Sequence, residues 1–171
     1  MSAEPRVGIL MGSDSDWPVM AEAAKLCREW GVPCEVQVLS AHRRPEDCAA
    51  YARSAAGRGL RVLIAGAGGA AHLAGVLAAH TTLPVVAVPI PTAVSGGLDS
   101  LLSMVQLPPG GPVATVGVGR AGNAALLAFQ IMALADPRLA ARLLEFKDEL
   151  AAKGEASDRK VRQQWAADSA G

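Results

Sequence analysis

Five short apolar runs recur along the chain, and most are continuously apolar rather than alternating. They are Arg6–Met11, Glu35–Leu39, Val62–Ala65, Val85–Val88 and Val113–Val118. A strand with one wet face alternates, whereas a strand covered on both faces does not, and such cover is the rule for parallel strands. Segments of helical character separate the runs. Trp17–Trp30 is ended by Gly31 and Pro33, and Pro45–Ala56 by Gly57. Pro45 suits a first helical position, and Glu46 and Asp47 suit the positive end of a helix dipole. A third helix is expected from about Ala71 to His80, and a fourth from near Asp99. Strand and helix in strict alternation predict an α/β fold, an open three-layer sheet of five parallel strands in the flavodoxin-like order 2-1-3-4-5.

Beyond the fifth run, Asn123–Ala135 is apolar almost all round, so a second buried side is expected, on a neighbouring subunit. Asp136-Pro137 opens an amphipathic helix over Arg138–Ala152, and residues 153–171 read as a polar tail, either a docking arm or a frayed end. With 171 residues, no internal repeat and no long linker, the expectation is one domain with its core over about residues 6–152.

Charge and cysteine usage narrow the function. Sixteen basic and sixteen acidic side chains cancel, which argues against a nucleic-acid partner and leaves room for a small anionic ligand. Cys27, Cys34 and Cys48 form no CxxC pair, as expected for packed, reduced thiols in the cytoplasm. The first residues do not resemble a secretory leader, and the apolar stretch from Val62 to Ala79 is broken by glycines and His72, so no membrane span is expected.

Ligands of open α/β sheets gather at the carboxyl ends of the strands. Three loops there are unusual. After the first strand, Gly12-Ser13-Asp14-Ser15-Asp16-Trp17 is either a plain capping turn or an anion site, with Ser13 and Ser15 as hydroxyl donors and Asp16 as an acceptor for ribose hydroxyls. After the second, Ser40-Ala41-His42-Arg43-Arg44-Pro45 sets a histidine beside arginine, either an acid/base next to an anion clamp or solvated surface groups. Arg44 reads as a surface charge. After the third, Ala65–Leu73 (AGAGGAAHL) contains a GxGxxA spacing, but no Asp or Glu occurs between Asp47 and Asp99 to hold a ribose, so a dinucleotide site is rejected. Its glycines instead let backbone approach a flat ligand, and His72 is either a ligand contact or a packing residue. His80 reads as a helix-end residue. No pair of the three histidines has metal-ligand spacing, and neither a Walker loop nor a GxSxG elbow occurs.

Taken together, GSDSDW at 12–17, SAHR at 40–43 with Pro45, AGAGGAAHL at 65–73, LDSLLSMVQLP at 98–108 and NAALLA at 123–128 closely resemble the N5-carboxyaminoimidazole ribonucleotide mutase family, class I of the phosphoribosylaminoimidazole carboxylases. The resemblance runs from about Val7 to Asp136. The third loop is similar to class I rather than to class II, which has an AGRSN-like sequence there. The chain departs from class I at Ala74, where a Pro usually stands, in the stretch Pro89–Gly97 (PIPTAVSGG), and in a GRAGNAALLA run two residues shorter.

The resemblance implies an enzyme of purine biosynthesis that moves a carboxylate from the exocyclic nitrogen to ring carbon four of an aminoimidazole ribonucleotide. It implies that His42 is the general acid/base, that Ser13 and Arg43 bind the phosphate and that Asp16 binds the ribose. Ser15 is counted with the substrate-binding residues, and backbone over Ser40–His42 and Gly66–Leu73, which takes in Ala41, Ala67, Gly68 and His72, holds the base and the migrating carboxyl. It further implies a homo-octamer with sites between subunits and no metal, biotin or nucleotide cofactor. Two other readings fit the loops: direct carboxylation of the bare ribonucleotide by carbon dioxide, and a non-catalytic module for a phosphorylated ligand of the flavin type.

Overall fold

The structure, a computed structural model, describes residues 4–169. The chain forms two compact units, the first ending at Ile131 and the second beginning at Met132.

In the first unit, β1 (Val7–Met11), β2 (Cys34–Val38), β3 (Val62–Ala67), β4 (Val85–Pro89) and β5 (Ala114–Thr115) form one sheet in the order β2-β1-β3-β4-β5, every pair parallel. This is the expected order. All of β1, β3 and β4 is buried, which explains their unbroken apolar sequences. β2 is the open edge, and its residues are half-buried or exposed. The helices between strands are α1 (Trp17–Glu29), α2 (Pro45–Ala55), α3 (Leu73–His80) and α4 (Leu98–Val105). They bury Met20, Ala23 and Cys27 from α1, Tyr51 and Ala52 from α2, Leu77 from α3 and Met104 from α4. Removing this aliphatic surface from water is the main force holding the layers together.

Register decides where the loops meet. Met11 stands opposite Val38 on one side and Gly66 on the other, and Ala67 stands opposite Pro89. The carboxyl ends of four neighbouring strands therefore lie at one level.

The helix α5 (Ala121–Ala133) follows β5. The fifth strand is shorter than the expected Val113–Val118. Val116 still donates to the Ala87 carbonyl (3.0 Å), but Gly117 and Arg120 then close a turn (Arg120 N–H to Gly117 carbonyl, 3.0 Å) that carries the chain off the ladder. α3 starts two residues later than expected, because Ala71 and His72 donate back to Gly69 and Ala70 in tight turns (2.8 and 2.7 Å) instead of entering the helix.

The second unit is dominated by α6 (Pro137–Asp168). Its start is as expected: the Asp136 carboxylate caps it by accepting from the Leu139 N–H at 3.2 Å, with Pro137 in the first turn. Its end is not, because the helix runs on through the polar stretch. Ala, Lys, Glu, Gln and Arg are good helix formers, and the pairs Glu155–Arg159 (3.6 Å) and Asp158–Arg162 (2.9 Å) support the extension at i,i+4 spacing in spite of Gly154. Among the described residues no helix is long and apolar enough to cross a membrane.

Candidate active site

At the carboxyl end of the sheet a cavity of about 500 Å³ opens between the loops that follow β1, β2, β3 and β4. A volume of that size suits a small-molecule ligand.

The first loop is a 3-10 turn over Asp14–Asp16, held by a reciprocal capping box. The Asp16 carboxylate accepts from the Ser13 N–H at 3.1 Å, and Ser13 Oγ accepts from the Ser15 N–H at 3.3 Å. The Ser15 hydroxyl donates to Ser13 Oγ at 2.9 Å, which gathers both hydroxyls at the cavity wall. Asp16 is buried. Burial pushes its carboxyl above the ordinary value, against the opposing effect of the Ser13 N–H and its other hydrogen-bond donors.

The second loop continues the ladder for one residue (Leu39 N–H to Met11 carbonyl, 2.7 Å) and then turns, with Arg44 donating to the Ser40 carbonyl at 2.8 Å and Arg43 N–H to Ser40 Oγ at 3.3 Å. The turn sends His42 and Arg43 into the cavity wall. Arg43 Nη2 donates to the Gly12 carbonyl at 3.0 Å, which ties the second loop to the first. Arg44 instead makes an exposed ion pair with Asp47 at 2.5 Å and lies outside the cavity lining.

The third loop brings Ala67, Gly68, His72 and Leu73 to the same cavity. His72 Nδ1 lies 2.8 Å from His42 Nε2, with the two rings nearly perpendicular at 84°. The pairing follows from the strand order: β2 and β3 flank β1, so the loops after them close over its end. Two ring nitrogens at this distance hold one proton between them, one donating and the other accepting.

All eleven residues marked in the sequence as candidate site residues, Ser13, Ser15, Asp16, Ser40, Ala41, His42, Arg43, Ala67, Gly68, His72 and Leu73, line this one cavity. A fourth wall, Ile90-Pro91-Thr92, was not among them. It carries no ionisable group, and its signals in the sequence are its place after β4, at the same end of the sheet as the other three loops, and its membership of the stretch Pro89–Gly97 that departs from class I. Among the described residues, no group of three or more His, Cys, Asp or Glu side chains is placed to hold a metal ion.

The sequence model of the AIR carboxylase family matches residues 6–153. The chain belongs to this family. Among its relatives is the N5-carboxyaminoimidazole ribonucleotide mutase of Mycobacterium tuberculosis, 58% identical over 159 residues that cover 93% of this chain and 91% of that protein. The mutase of Pyrococcus abyssi is 56% identical over 146 residues, covering 85% and 84%. The crystal structure of Treponema denticola PurE superposes with a TM-score of 0.82 at 29% identity, covering 91% of this chain and 98% of that one. The family match takes in all four cavity loops of this AIR carboxylase family member, together with α4 behind them.

Proposed function

We propose that this chain is an N5-carboxyaminoimidazole ribonucleotide mutase of purine biosynthesis, and that the cavity at the carboxyl end of its sheet is the active site. The observation that carries the reading is the His42–His72 pair inside a cavity with Ser13, Ser15, Asp16 and Arg43 on its other walls, in a chain more than half identical to proteins of that name.

In this reading Ser13, Ser15 and Arg43 receive the phosphate, hydroxyl and guanidinium donors being its natural partners. Asp16 accepts from the ribose hydroxyls. Backbone of Ser40, Ala41, Ala67, Gly68 and Leu73 brackets the flat base. His42 gives a proton to the exocyclic nitrogen as its bond to the carboxyl carbon breaks, and carbon dioxide is released into the cavity. Ring carbon four then bonds to the carbon dioxide, and His42 takes the proton that this carbon carried. One proton leaves the imidazole and one returns, so the net change is an isomerisation. An imidazole serves both steps because it acts as acid and base near neutral pH. His72 is placed to supply or accept the proton at His42 Nε2. The cavity contributes proximity, holding carbon dioxide beside the ring carbon.

The proposal includes a homo-octamer in the cytoplasm. Leu98, Leu102 and Val105 form an exposed apolar stripe at i, i+4, i+7 on α4, which supports burial against another subunit. Cys27, Cys34 and Cys48 are free thiols, as a reducing compartment would keep them.

A conversion assay tests the function. The purified protein is offered the N-carboxylated ribonucleotide and, separately, the bare aminoimidazole ribonucleotide with dissolved carbon dioxide. Conversion of the first, without exchange of its carboxyl with free carbon dioxide, is expected. Efficient use of the bare ribonucleotide alone would replace the mutase with a direct carboxylase.

A further inference from the structure

Helix α4 does not line the cavity, yet two of its serines grip the loop that carries His72. Ser100 is fully buried. Its hydroxyl donates to the Ile90 carbonyl at 2.8 Å and accepts from the Gly69 N–H at 2.9 Å, so it joins the third loop to the fourth. Ser103 Oγ lies 3.1 Å from the Gly69 carbonyl oxygen and 2.9 Å from that of Asp99, and its one proton is shared between them. Both backbone polar groups of Gly69 are thus bonded to side chains of one helix. Gly69 sits at φ +67°, in the left-handed region where only glycine is at ease, so its peptide has no other residue type to fall back on.

A hydroxyl is the smallest side-chain group that donates and accepts at once. Burying one is costly unless both capacities are used, and at Ser100 both are. Asp99 anchors the arrangement from the other side, accepting from the Thr92 hydroxyl (2.6 Å) and from the Ser100 N–H (2.9 Å). From Gly69 the path to the site is short. Ala71 N–H donates to the Gly69 carbonyl, His72 N–H donates to the Ala70 carbonyl, and the His72 ring then meets His42 at 2.8 Å. Two consecutive tight turns leave little freedom, so the orientation of the Gly69 peptide fixes where the imidazole lands.

We infer that Ser100, assisted by Ser103, is a positioning residue that holds the His72 ring against His42 through Gly69. It touches no substrate. The inference rests on the reading that the His42–His72 pair moves the proton of the reaction, and it goes further by placing the control of that pair on α4.

The test is Ser100→Ala in the full chain, read first by nitrogen and proton NMR of the imidazoles, which needs no substrate. The proton shared between the two rings should lose its signature in the variant. Turnover should fall roughly 10- to 100-fold, the scale of a small misplacement of a reacting group, while KM stays within about threefold because no binding contact is lost. In a His72→Ala background the same substitution should cause no further loss, since its effect is transmitted through that ring. Unchanged ring signals, or losses that multiply in the double variant, would overturn the inference. Should Ser100→Ala fail to fold, Ser103→Ala must show the same direction in ring signals and turnover, and an unaltered Ser103→Ala would overturn it equally. If the unmodified protein converts neither ribonucleotide, the proposed function falls, and the ring signals alone decide whether α4 sets the pair.

Discussion

His42 Nε2 and His72 Nδ1 approach to 2.8 Å although thirty positions separate them in the chain. At this separation one imidazole nitrogen donates a hydrogen bond to the other. The pair is therefore a proton store of fixed geometry at the wall of the cavity. His42→Asn keeps a polar side chain of similar reach but cannot cycle a proton. Turnover is expected to fall roughly 10²- to 10⁴-fold, the usual contribution of a general acid/base. Calorimetric affinity for the product ribonucleotide should stay within a few-fold of the original. Near-normal turnover would remove His42 from the chemistry.

The Arg43 guanidinium donates from Nη2 to the Gly12 carbonyl, which leaves other donors of its fork to meet an anion. Arg43→Ala should raise KM roughly 10- to 100-fold, the worth of one or two charge-assisted hydrogen bonds. Its kcat should change far less, because the phosphate is remote from the reacting carbon. Steady-state kinetics at two ionic strengths checks this, since the unmodified enzyme should lose more affinity to added salt than the variant does.

What the sequence showed and what it hid divide along physical lines. The three marked loops stood out because ionisable and hydroxyl-bearing residues interrupt a strongly apolar chain at strand ends, as at Ser13, His42 and His72. The contact between the two histidines was not legible, because it depends on β1 lying between β2 and β3, a tertiary fact. Ile90 and Pro91 stand in the departing stretch Pro89–Gly97, but apolar side chains carry no chemistry that would mark them as cavity wall. Ser100 lies in the stretch 98–108 that carries the family resemblance, but its role is not legible there, because a serine inside a helix gives no signal until its partners are known. The polar stretch beyond Ala152 reads as a tail because none of its described residues is buried, yet its helix formers and i,i+4 pairs carry α6 on to Asp168.

Asp16 is under opposing demands. Its carboxylate closes the Ser13 turn, and burial raises its pKa above the ordinary value. A raised carboxyl means that the folded state binds more protons than the unfolded one across the interval between the two pKa values. Stability therefore declines as pH rises through that interval, and the charged form remains a burden above it. Asp16→Asn removes that charge while its amide oxygen still accepts from Ser13. The variant is expected to melt at a higher temperature than the original at pH 7, with the gap narrowing as pH falls into the acid range. It should also bind substrate more weakly, because an amide is a poorer acceptor for ribose hydroxyls. Calorimetric melting from pH 7 to pH 3, set beside KM, tests both halves.

Gly96 and Gly97 are neighbours with the same backbone hand and different surroundings, and this separates two sources of cost. Both have positive φ, +67° and +108°, but a Cβ on Gly96 would meet nothing within 4 Å. On Gly97 it would lie 2.9 Å from Val118 Cγ1 and 3.1 Å from both the Ile90 carbonyl oxygen and Pro91 Cα. Gly96→Ala should cost about 1–2 kcal/mol, the left-handed penalty alone. Gly97→Ala adds an overlap with backbone that has no rotamer to yield, so a total of roughly 3 kcal/mol or more is expected. In a chain of this size that corresponds to melting temperatures lower by roughly 2–8 °C for Gly96→Ala and 6–12 °C for Gly97→Ala. The displaced backbone is the Ile90–Pro91 wall of the cavity, so Gly97→Ala should also lower kcat/KM at temperatures where the variant is still folded, and Gly96→Ala should not. Equal effects of the two substitutions on melting and on kcat/KM would mean that the wall adjusts freely, and that its position does not shape the site.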